Sequence, residues 1–296
     1  ISAKTSRTVG KVCSYILLIF FACIFFMPFL WMLSTAVKPT NQIFLNPPKW
    51  IPDPIKWENF TTIFKRMPLF AYTKNTLVVA ILPVLGQIFA APMIAYSLTK
   101  IPWKGAKYIF PLILATMMIP WQVTQIPLFI TWSKLGLVNT FVPLVLPAFF
   151  GTPYYIYLMR QFVKGLPDSV IEAARIDGAS ELTIFWKLVV PLAMPMLACI
   201  AVYIGVGHWN SWFDVSLYSK DGRWDNLQII LYRLLNQATA KADMTNQQQL
   251  YASMRNIQPE TVRAATTVVV TVPIVCIYPF FQRYFVGGIT LGAVKG

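Results

Sequence analysis

Residues 75–99 read NTLVVAILPVLGQIFAAPMIAYSLT, a stretch that contains no Asp, Glu, Lys or Arg. A helix needs about 20 mostly apolar residues to cross a hydrocarbon core about 30 Å thick, and this stretch is long enough. A helix also pairs its backbone polar groups within the segment, which lipid requires because it offers no partner. The stretch therefore predicts a transmembrane helix.

Five further charge-free stretches of similar length lie along the chain. The hydrophobic share of the sequence is 56% and the charged share 12%, whereas soluble proteins average roughly 45–50% and 25%. We therefore predict an all-α, polytopic membrane protein with six transmembrane helices. The stretches are residues 12–37, 75–99, 108–133, 135–159, 188–213 and 264–282.

The stretches divide the chain into four parts. Residues 1–37 form an N-terminal segment with the first transmembrane helix, which is too long for a secretory signal and lacks a small-residue cleavage site. Residues 38–74 form an outer loop. Residues 75–283 form the core of helices two to six, with an inner loop at 160–187 and an outer loop at 214–263. Residues 284–296 form a tail.

The orientation follows from the short loops, because Lys and Arg near the ends of spans favour the cytoplasmic side. The short loop after the second stretch carries Lys100, Lys104 and Lys107, whereas the one after the third carries only Lys134. We therefore expect both termini in the cytoplasm.

The net charge of +14 does not indicate a nucleic-acid partner, because the basic residues are spread over every loop without a dense run. The four cysteines show neither metal-site nor disulfide spacing. The sequence also has no Gly-x-x-x-x-Gly-Lys-Ser/Thr loop, so we expect no ATP hydrolysis by this chain.

Two other classes of membrane protein fit less well. A secondary carrier is disfavoured because the stretches carry no charged residue for an ion relay and the chain shows no internal repeat. A membrane-embedded enzyme is disfavoured because no catalytic Ser, His and Asp set or metal-ligand cluster lies in or near one stretch. Both alternatives stay open at this point.

The inner loop contains the most informative segment, residues 165–180, which read GLPDSVIEAARIDGAS. Ser169 and Glu172 have the spacing of a capping box at the start of a helix. Gly178 suits the left-handed conformation that ends a helix, and Ser180 can cap a second one. The segment predicts a short helix, a glycine elbow and another helix.

This segment resembles the signature of the permeases of ATP-binding-cassette importers, which is Glu-Ala-Ala, three residues, Gly, then nine residues to Ile-x-Leu-Pro. Here Glu172, Ala173, Ala174 and Gly178 match the signature, and its end falls on residues 188–191, LVVP, with two conservative apolar changes. The resemblance implies that the elbow couples the permease to an ATPase. The coupling residues are then Glu172, Ala173, Ala174, Asp177 and Gly178.

The resemblance extends over nearly the whole chain and is greatest to the carbohydrate branch, of the maltose-type second permease subunit and MetI-like fold. It implies a sugar or oligosaccharide substrate and a place in the bacterial inner membrane. The implied partners are a second, different permease, two ATP-binding subunits and an extracytoplasmic solute-binding protein. ATP and Mg²⁺ are then bound by the ATP-binding subunits, and this chain carries no cofactor. A permease for another solute class is the alternative.

Three further sets of residues are candidates for contact with substrate or partners. Polar side chains near the membrane-buried prolines, Gln122 and Gln125, face either a neighbouring helix or the substrate path, and the resemblance adds Trp209 and Asn210 to the path. The amide-rich outer loop is expected to reach the binding protein. The glycine-rich tail is expected not to form a stable helix, and it is either a frayed end or, as the resemblance implies, an insertion between the two ATPases. The residues are Gln122, Gln125, Trp209 and Asn210 for the path, Thr245, Asn246, Gln247, Gln248 and Gln249 for the loop, and Gly288, Thr290, Gly292 and Lys295 for the tail.

Overall fold

A computed structural model describes residues 3–236 and 258–293 of the chain. Helices account for almost all the regular structure of this part. In chain order they are α1 (Ala3–Ala36), a 3-10 turn (Thr40–Gln42), α2 (Glu58–Arg66), α3 (Leu69–Thr99), α4 (Ala106–Thr116), α5 (Trp121–Lys134), α6 (Val142–Val145), a second 3-10 turn (Leu146–Phe150), α7 (Pro153–Lys164), α8 (Asp168–Ile176), α9 (Glu181–Ile184), a π-helical segment (Phe185–Val189), α10 (Val190–Leu192), α11 (Met194–Trp209), α12 (Phe213–Tyr218), α13 (Leu227–Asn236) and α14 (Pro259–Ala293).

The helices agree with six spans if two broken helices each count as one. Four segments of the described residues are long and apolar enough to cross a membrane, namely Gly10–Ala36, Leu69–Thr99, Val142–Lys164 and Pro259–Ile277. Two helix pairs qualify when taken together, α4 with α5 and the α9–α10 segment with α11, and they bend by 97° and 75°. The all-α polytopic prediction is therefore confirmed.

Prolines explain why the third and fifth predicted stretches are broken helices. α4 ends at Thr116 and α5 starts after Pro120, because the residue before a proline is disfavoured in the α conformation. α11 starts one residue before Pro195, whose ring cannot donate the backbone hydrogen bond and crowds the carbonyl four residues earlier. Each of these two stretches is therefore a bent helix pair that counts as one candidate span.

The fourth stretch begins later than predicted. Residues after α5 form a turn in which Gly136 and Asn139 have positive φ angles of 69° and 66°. Asn139 tolerates this conformation, and its Oδ1 accepts hydrogen bonds from the backbone of Lys220 at 2.7 Å and Asp221 at 3.3 Å. The candidate span therefore runs over Val142–Lys164 instead of residues 135–159.

The chain divides into two compact units, of which the first comprises Ile1–Pro68 and Arg233–Val272. In its first part, the segment after α1 is held by side-chain amides. Asn59 donates to the backbone oxygens of Ala36 and Lys38 at 3.0 and 3.1 Å. Lys38 is buried with its ammonium group 3.6 Å from the centre of the Trp31 ring, and this burial lowers the pKa of Lys38. The predicted outer loop is thus an ordered segment.

The second unit comprises Leu69–Tyr232 and Pro273–Gly296. α3 runs through it and packs against α7 and α11. The core between them contains Ala95, Met159, Val163 and Ile200, all fully buried. This unit holds the predicted coupling loop and the predicted substrate-path residues.

The C-terminal segment differs from its prediction. α14 continues to Ala293, so the expectation that the glycine-rich tail forms no stable helix was wrong as far as Ala293. Extending an existing helix adds one hydrogen bond per residue without a new nucleation step, which offsets the poor helix propensity of glycine. Lys295 and the loop residues Thr245–Gln249 lie outside the described residues.

Candidate functional site

The elbow after α8 has the geometry that its sequence predicts. Gly178 has a φ of +80°, and the backbone N–H of Ala179 donates to the carbonyl of Ala174 at 3.0 Å, while that of Gly178 donates to Arg175. These two bonds are the pattern of a helix closed by a left-handed glycine. The hydroxyl oxygen of Ser180 accepts from the backbone of Thr183 at 3.3 Å, so Ser180 caps α9 as predicted.

The start of α8 was predicted incorrectly. The helix begins at Asp168 directly after Pro167, and no side chain caps it. Ser169 therefore lies inside the first turn, where its hydroxyl cannot act as the cap of a box with Glu172. Pro167 is followed by the acidic side chain of Asp168, which favours the positive end of the helix dipole.

One face of α8 is exposed and the other is fixed to the core. Ile171 is 4% exposed and packs in the core cluster, against which Ala174 also packs. On the opposite face Glu172 and Ala173 are exposed, and Ile176 is 86% exposed. Of the predicted coupling residues, the structure thus exposes Glu172, Ala173, Asp177 and Gly178 and half-buries Ala174.

A polar network, which the sequence did not reveal, fixes the ends of α8. The ammonium group of Lys100 donates to the Leu166 carbonyl at 2.8 Å and to the Asp168 carboxylate at 2.5 Å. Its own backbone carbonyl accepts from the Arg175 guanidinium at 2.8 Å. Lys100 thereby joins both ends of α8 to the end of α3.

The same guanidinium connects the elbow to the next helix. Arg175 donates through Nε to Glu181 at 2.7 Å, and Tyr96 of α3 donates to the other oxygen of the same carboxylate at 2.5 Å. The hydrogen bond to Glu181 raises the pKa of Arg175 above its ordinary value. The elbow is therefore tied to α3, which belongs to the second predicted span, and to α9, which leads into the fifth.

Two adjoining cavities lie among α3, α5, α7 and α11. Their volumes are about 230 and 220 Å³, and both are lined by Thr152, His208, Ser211 and Asp214. Gln125 lines the larger and Gln87 the smaller. We call these two cavities together the polar chamber. Burial of the Asp214 carboxyl raises its pKa.

A third cavity, of about 370 Å³, shares Gln125 with the polar chamber. Its other lining residues are mostly apolar or aromatic, and we call it the aromatic pocket. The rings of Trp121 and Phe213 meet edge to face there, with centroids 5.3 Å apart. The lining residues are Trp121, Gln122, Gln125, Ile126, Phe129, Phe213 and Leu217.

The structure separates the four predicted path residues. Gln122 and Gln125 line cavities, whereas Trp209 is buried at 5% exposure and lines none of the three described here. The side-chain amide of Asn210 donates to the Val206 carbonyl at 2.8 Å, so it bonds to the backbone of its own helix. Asp214 was not among the predicted path residues, although it is the first acidic residue after the fifth stretch and lines both cavities of the polar chamber.

Of the predicted tail residues, Gly288, Thr290 and Gly292 lie on α14. Their role at an ATPase interface stays a prediction.

Comparisons with known proteins agree with this fold. The family model described as binding-protein-dependent transport system inner membrane component matches residues 87–290. The arabinooligosaccharides transport system permease protein AraQ of Halalkalibacterium halodurans is 34% identical, with 98% of this chain and 99% of the relative covered. Protein LplC of Bacillus subtilis is 30% identical over 100% of this chain and 97% of the relative.

A further relative and a solved structure extend the comparison to acidic polysaccharides. The polygalacturonan/rhamnogalacturonan transport system permease protein YtcP of Bacillus subtilis is 27% identical over 95% of this chain and 96% of the relative. A crystal structure of a bacterial ABC transporter involved in the import of the acidic polysaccharide alginate has a chain that superposes with a TM-score of 0.80 at 25% identity, covering 96% of this chain and 99% of that one. Because the family model spans most of the sequence, including the elbow and all three cavities, the chain belongs to the inner membrane components of binding-protein-dependent transport systems, the permeases of ABC importers.

Proposed function

We propose that this permease carries a sugar or oligosaccharide into the cell across the bacterial cytoplasmic membrane, and that partner ATPases drive it through α8. The exposed face of α8, next to the Gly178 elbow, is the observation that carries the proposal. Small and apolar side chains at Ala173 and Ile176 permit close approach of another protein. The relatives whose names specify saccharides support the substrate class.

The contacts of α8 explain how a push on this helix reaches the membrane spans. Lys100 fixes α8 to the end of α3, and Arg175 fixes it to Glu181 at the start of the broken fifth span. A displacement of α8 is therefore passed to two spans together. ATP biases the transporter because it binds the two states of the ATPases with different affinity. In this proposal the chain itself catalyses no reaction, and ATP and Mg²⁺ are held by the partners.

The full complex in this proposal contains a second, non-identical permease, two ATP-binding subunits and an extracytoplasmic solute-binding protein. Both termini and α8 then face the cytoplasm, and the loop containing Thr245–Gln249 faces the binding protein. A cysteine placed at Gln248 would cross-link to the binding protein if this orientation holds. The absence of that cross-link together with labelling of the cysteine from the cytoplasm would contradict it.

Reversal of the charge on the exposed face of α8 tests the coupling role. In the reconstituted complex, we expect Glu172→Lys to lower binding-protein-stimulated ATPase activity and sugar uptake by about tenfold or more, because it reverses the charge in the middle of the proposed contact surface, and the charges of an interface are complementary to those of the partner. Glu58→Lys is the matched control, since Glu58 is an exposed carboxylate on α2. Unchanged uptake in Glu172→Lys would remove α8 from the coupling path.

A further inference from the structure

The charge of the cavity lining is unbalanced. Among the described residues that line the polar chamber and the aromatic pocket, Asp214 is the one acidic residue, and there is no Lys or Arg. Lys220 lies with its ammonium group 4.4 Å from the centre of the Phe129 ring but lines none of these cavities. A ligand in the polar chamber therefore meets a carboxyl group without a neighbouring lining cation.

The polar groups of the chamber differ in how much hydrogen-bonding capacity they keep. The amide of Gln87 is occupied, because it donates to the Thr152 hydroxyl at 2.5 Å and accepts from the Thr152 backbone at 3.1 Å. Asp214 accepts one long bond from the Ser211 hydroxyl at 3.4 Å, whereas an ionised carboxylate has about four acceptor positions. Gln125 has a buried side-chain oxygen without a hydrogen-bond partner in the described structure. Asp214 and Gln125 thus have capacity for a ligand.

The aromatic pocket supplies the complementary surface. Gln125 lines both spaces, so they adjoin at this residue. A saccharide has hydroxyl groups around its rim and apolar C–H faces, and binding sites for such molecules combine apolar walls with a few convergent polar groups. The two spaces together provide hydrogen-bond partners for sugar hydroxyls at Asp214 and Gln125 and aromatic walls at Trp121 and Phe213.

We propose that the polar chamber and the aromatic pocket form a saccharide-binding site on this chain's side of the transport path, in which Asp214 selects uncharged sugar units against uronate units. The inference rests on the proposed function and adds to it the charge class of the substrate. It separates this chain from the relatives named for acidic polysaccharides. A uronate carboxylate beside Asp214 would place two like charges in a poorly solvated space, where their repulsion is weakly screened.

A matched pair of sugars tests the selectivity. Galactotriose and trigalacturonate with the same α-1,4 linkage differ only at C6, which is a hydroxymethyl group in one and a carboxylate in the other. Binding is measured by the tryptophan fluorescence of the purified complex without its binding protein, because Trp121 lies in the proposed site. We expect the wild-type complex to bind galactotriose about tenfold more tightly or better, and Asp214→Asn to reduce this ratio at least threefold.

Asp221→Asn is the control for the loss of a negative charge, since Asp221 is exposed and bonds to Arg223 outside the cavities. It should leave the ratio unchanged. An unchanged ratio in Asp214→Asn, tighter binding of trigalacturonate by the wild-type complex, or no binding of galactotriose would each overturn the inference. None of these outcomes affects the coupling role of α8, which fails only if Glu172→Lys leaves uptake intact.

Discussion

Gly178 holds the elbow in a backbone conformation that residues with a side chain rarely adopt. Its φ is +80°, and a Cβ atom built there would meet no other atom within 4 Å. The cost of a substitution is therefore backbone strain and not a steric clash. For Gly178→Val we expect this strain to cost on the order of 1–3 kcal/mol, to displace α8 and to reduce sugar uptake severalfold.

Gly178→Asn separates strain from the loss of glycine itself, because asparagine tolerates positive φ better than other residues. Uptake by the complex, together with hydrogen–deuterium exchange of α8, measures both variants. The asparagine variant should stay near the wild-type rate. Equal uptake in the valine variant would show that the elbow does not need its left-handed conformation.

Among individual residues, contacts between residues close in sequence were predictable, whereas contacts between residues far apart in sequence were not. Gly178 and Ser180 act within their own turn, so their roles followed from the residue types. Lys100 contacts Asp168, which lies 68 positions further along the chain, and no local pattern encodes that distance. Asp214 likewise gains its importance from cavity walls contributed by other helices.

Among the helices, α8 depends on Lys100 for its position. The side chain of Lys100 is 6% exposed, whereas that of its partner Asp168 is 74% exposed, so the ion pair alone contributes little. The bond to the Leu166 carbonyl and the packing of the lysine stem then matter more. We expect Lys100→Met to increase amide exchange in α8 and to uncouple ATP hydrolysis from uptake.

Lys104→Met is the control, because Lys104 is exposed in the same loop. Hydrogen–deuterium exchange of the assembled complex gives the comparison directly. Protection of α8 in Lys100→Met equal to that in Lys104→Met would mean that the hydrophobic contacts of Ile171 suffice to hold the helix.

The last helix, α14, carries the tail residues Gly288, Thr290 and Gly292. In α14, we expect removal of residues 289–296 to leave the complex assembled while lowering the ratio of sugar transported to ATP hydrolysed, if the tail enters the ATPase interface. Size-exclusion chromatography measures assembly, and parallel ATPase and uptake assays measure the ratio. The double variant Gly288→Ala, Gly292→Ala keeps the chain length and favours the helix. It therefore shows whether the tail acts through its length or through the close approach to its backbone that glycine permits. An unchanged ratio in the truncated complex would make the tail dispensable.

Element boundaries illustrate what sequence length can and cannot predict. Charge-free length identified all six candidate spans, because a lipid core sets a minimum number of apolar residues. It did not show that Pro120 and Pro195 interrupt two of them, since a proline can also be accommodated within a transmembrane helix. Pro83 and Pro92 are examples, because both lie inside the continuous helix α3.

For the whole molecule, the fold class followed from composition, whereas the cavities did not. Hydrophobic content and charge-free length are sums over many residues, so a wrong prediction for one short segment does not change the fold class. A cavity depends on the positions of a few side chains from α3, α5, α7, α11, α12 and the loop before α12. Gln122 and Gln125 were accessible to prediction because amides at membrane depth must face protein or water. Asp214 and His208 could not be assigned to a cavity from the sequence, because nothing in the pattern around them shows which helices lie beside them.

The exposed face of α8 also has a consequence for how the cell must produce this protein. Ile176 is 86% exposed, so a subunit made in excess of its ATPases presents this large apolar side chain to water. Exposed apolar surface of this kind favours aggregation or proteolysis of the surplus subunits. We expect the half-life of the chain in a pulse-chase experiment to shorten when the ATPases are absent and to lengthen with Ile176→Ser. The exposure of Ile176 would then require the cell to make the permease and its ATPases in balanced amounts.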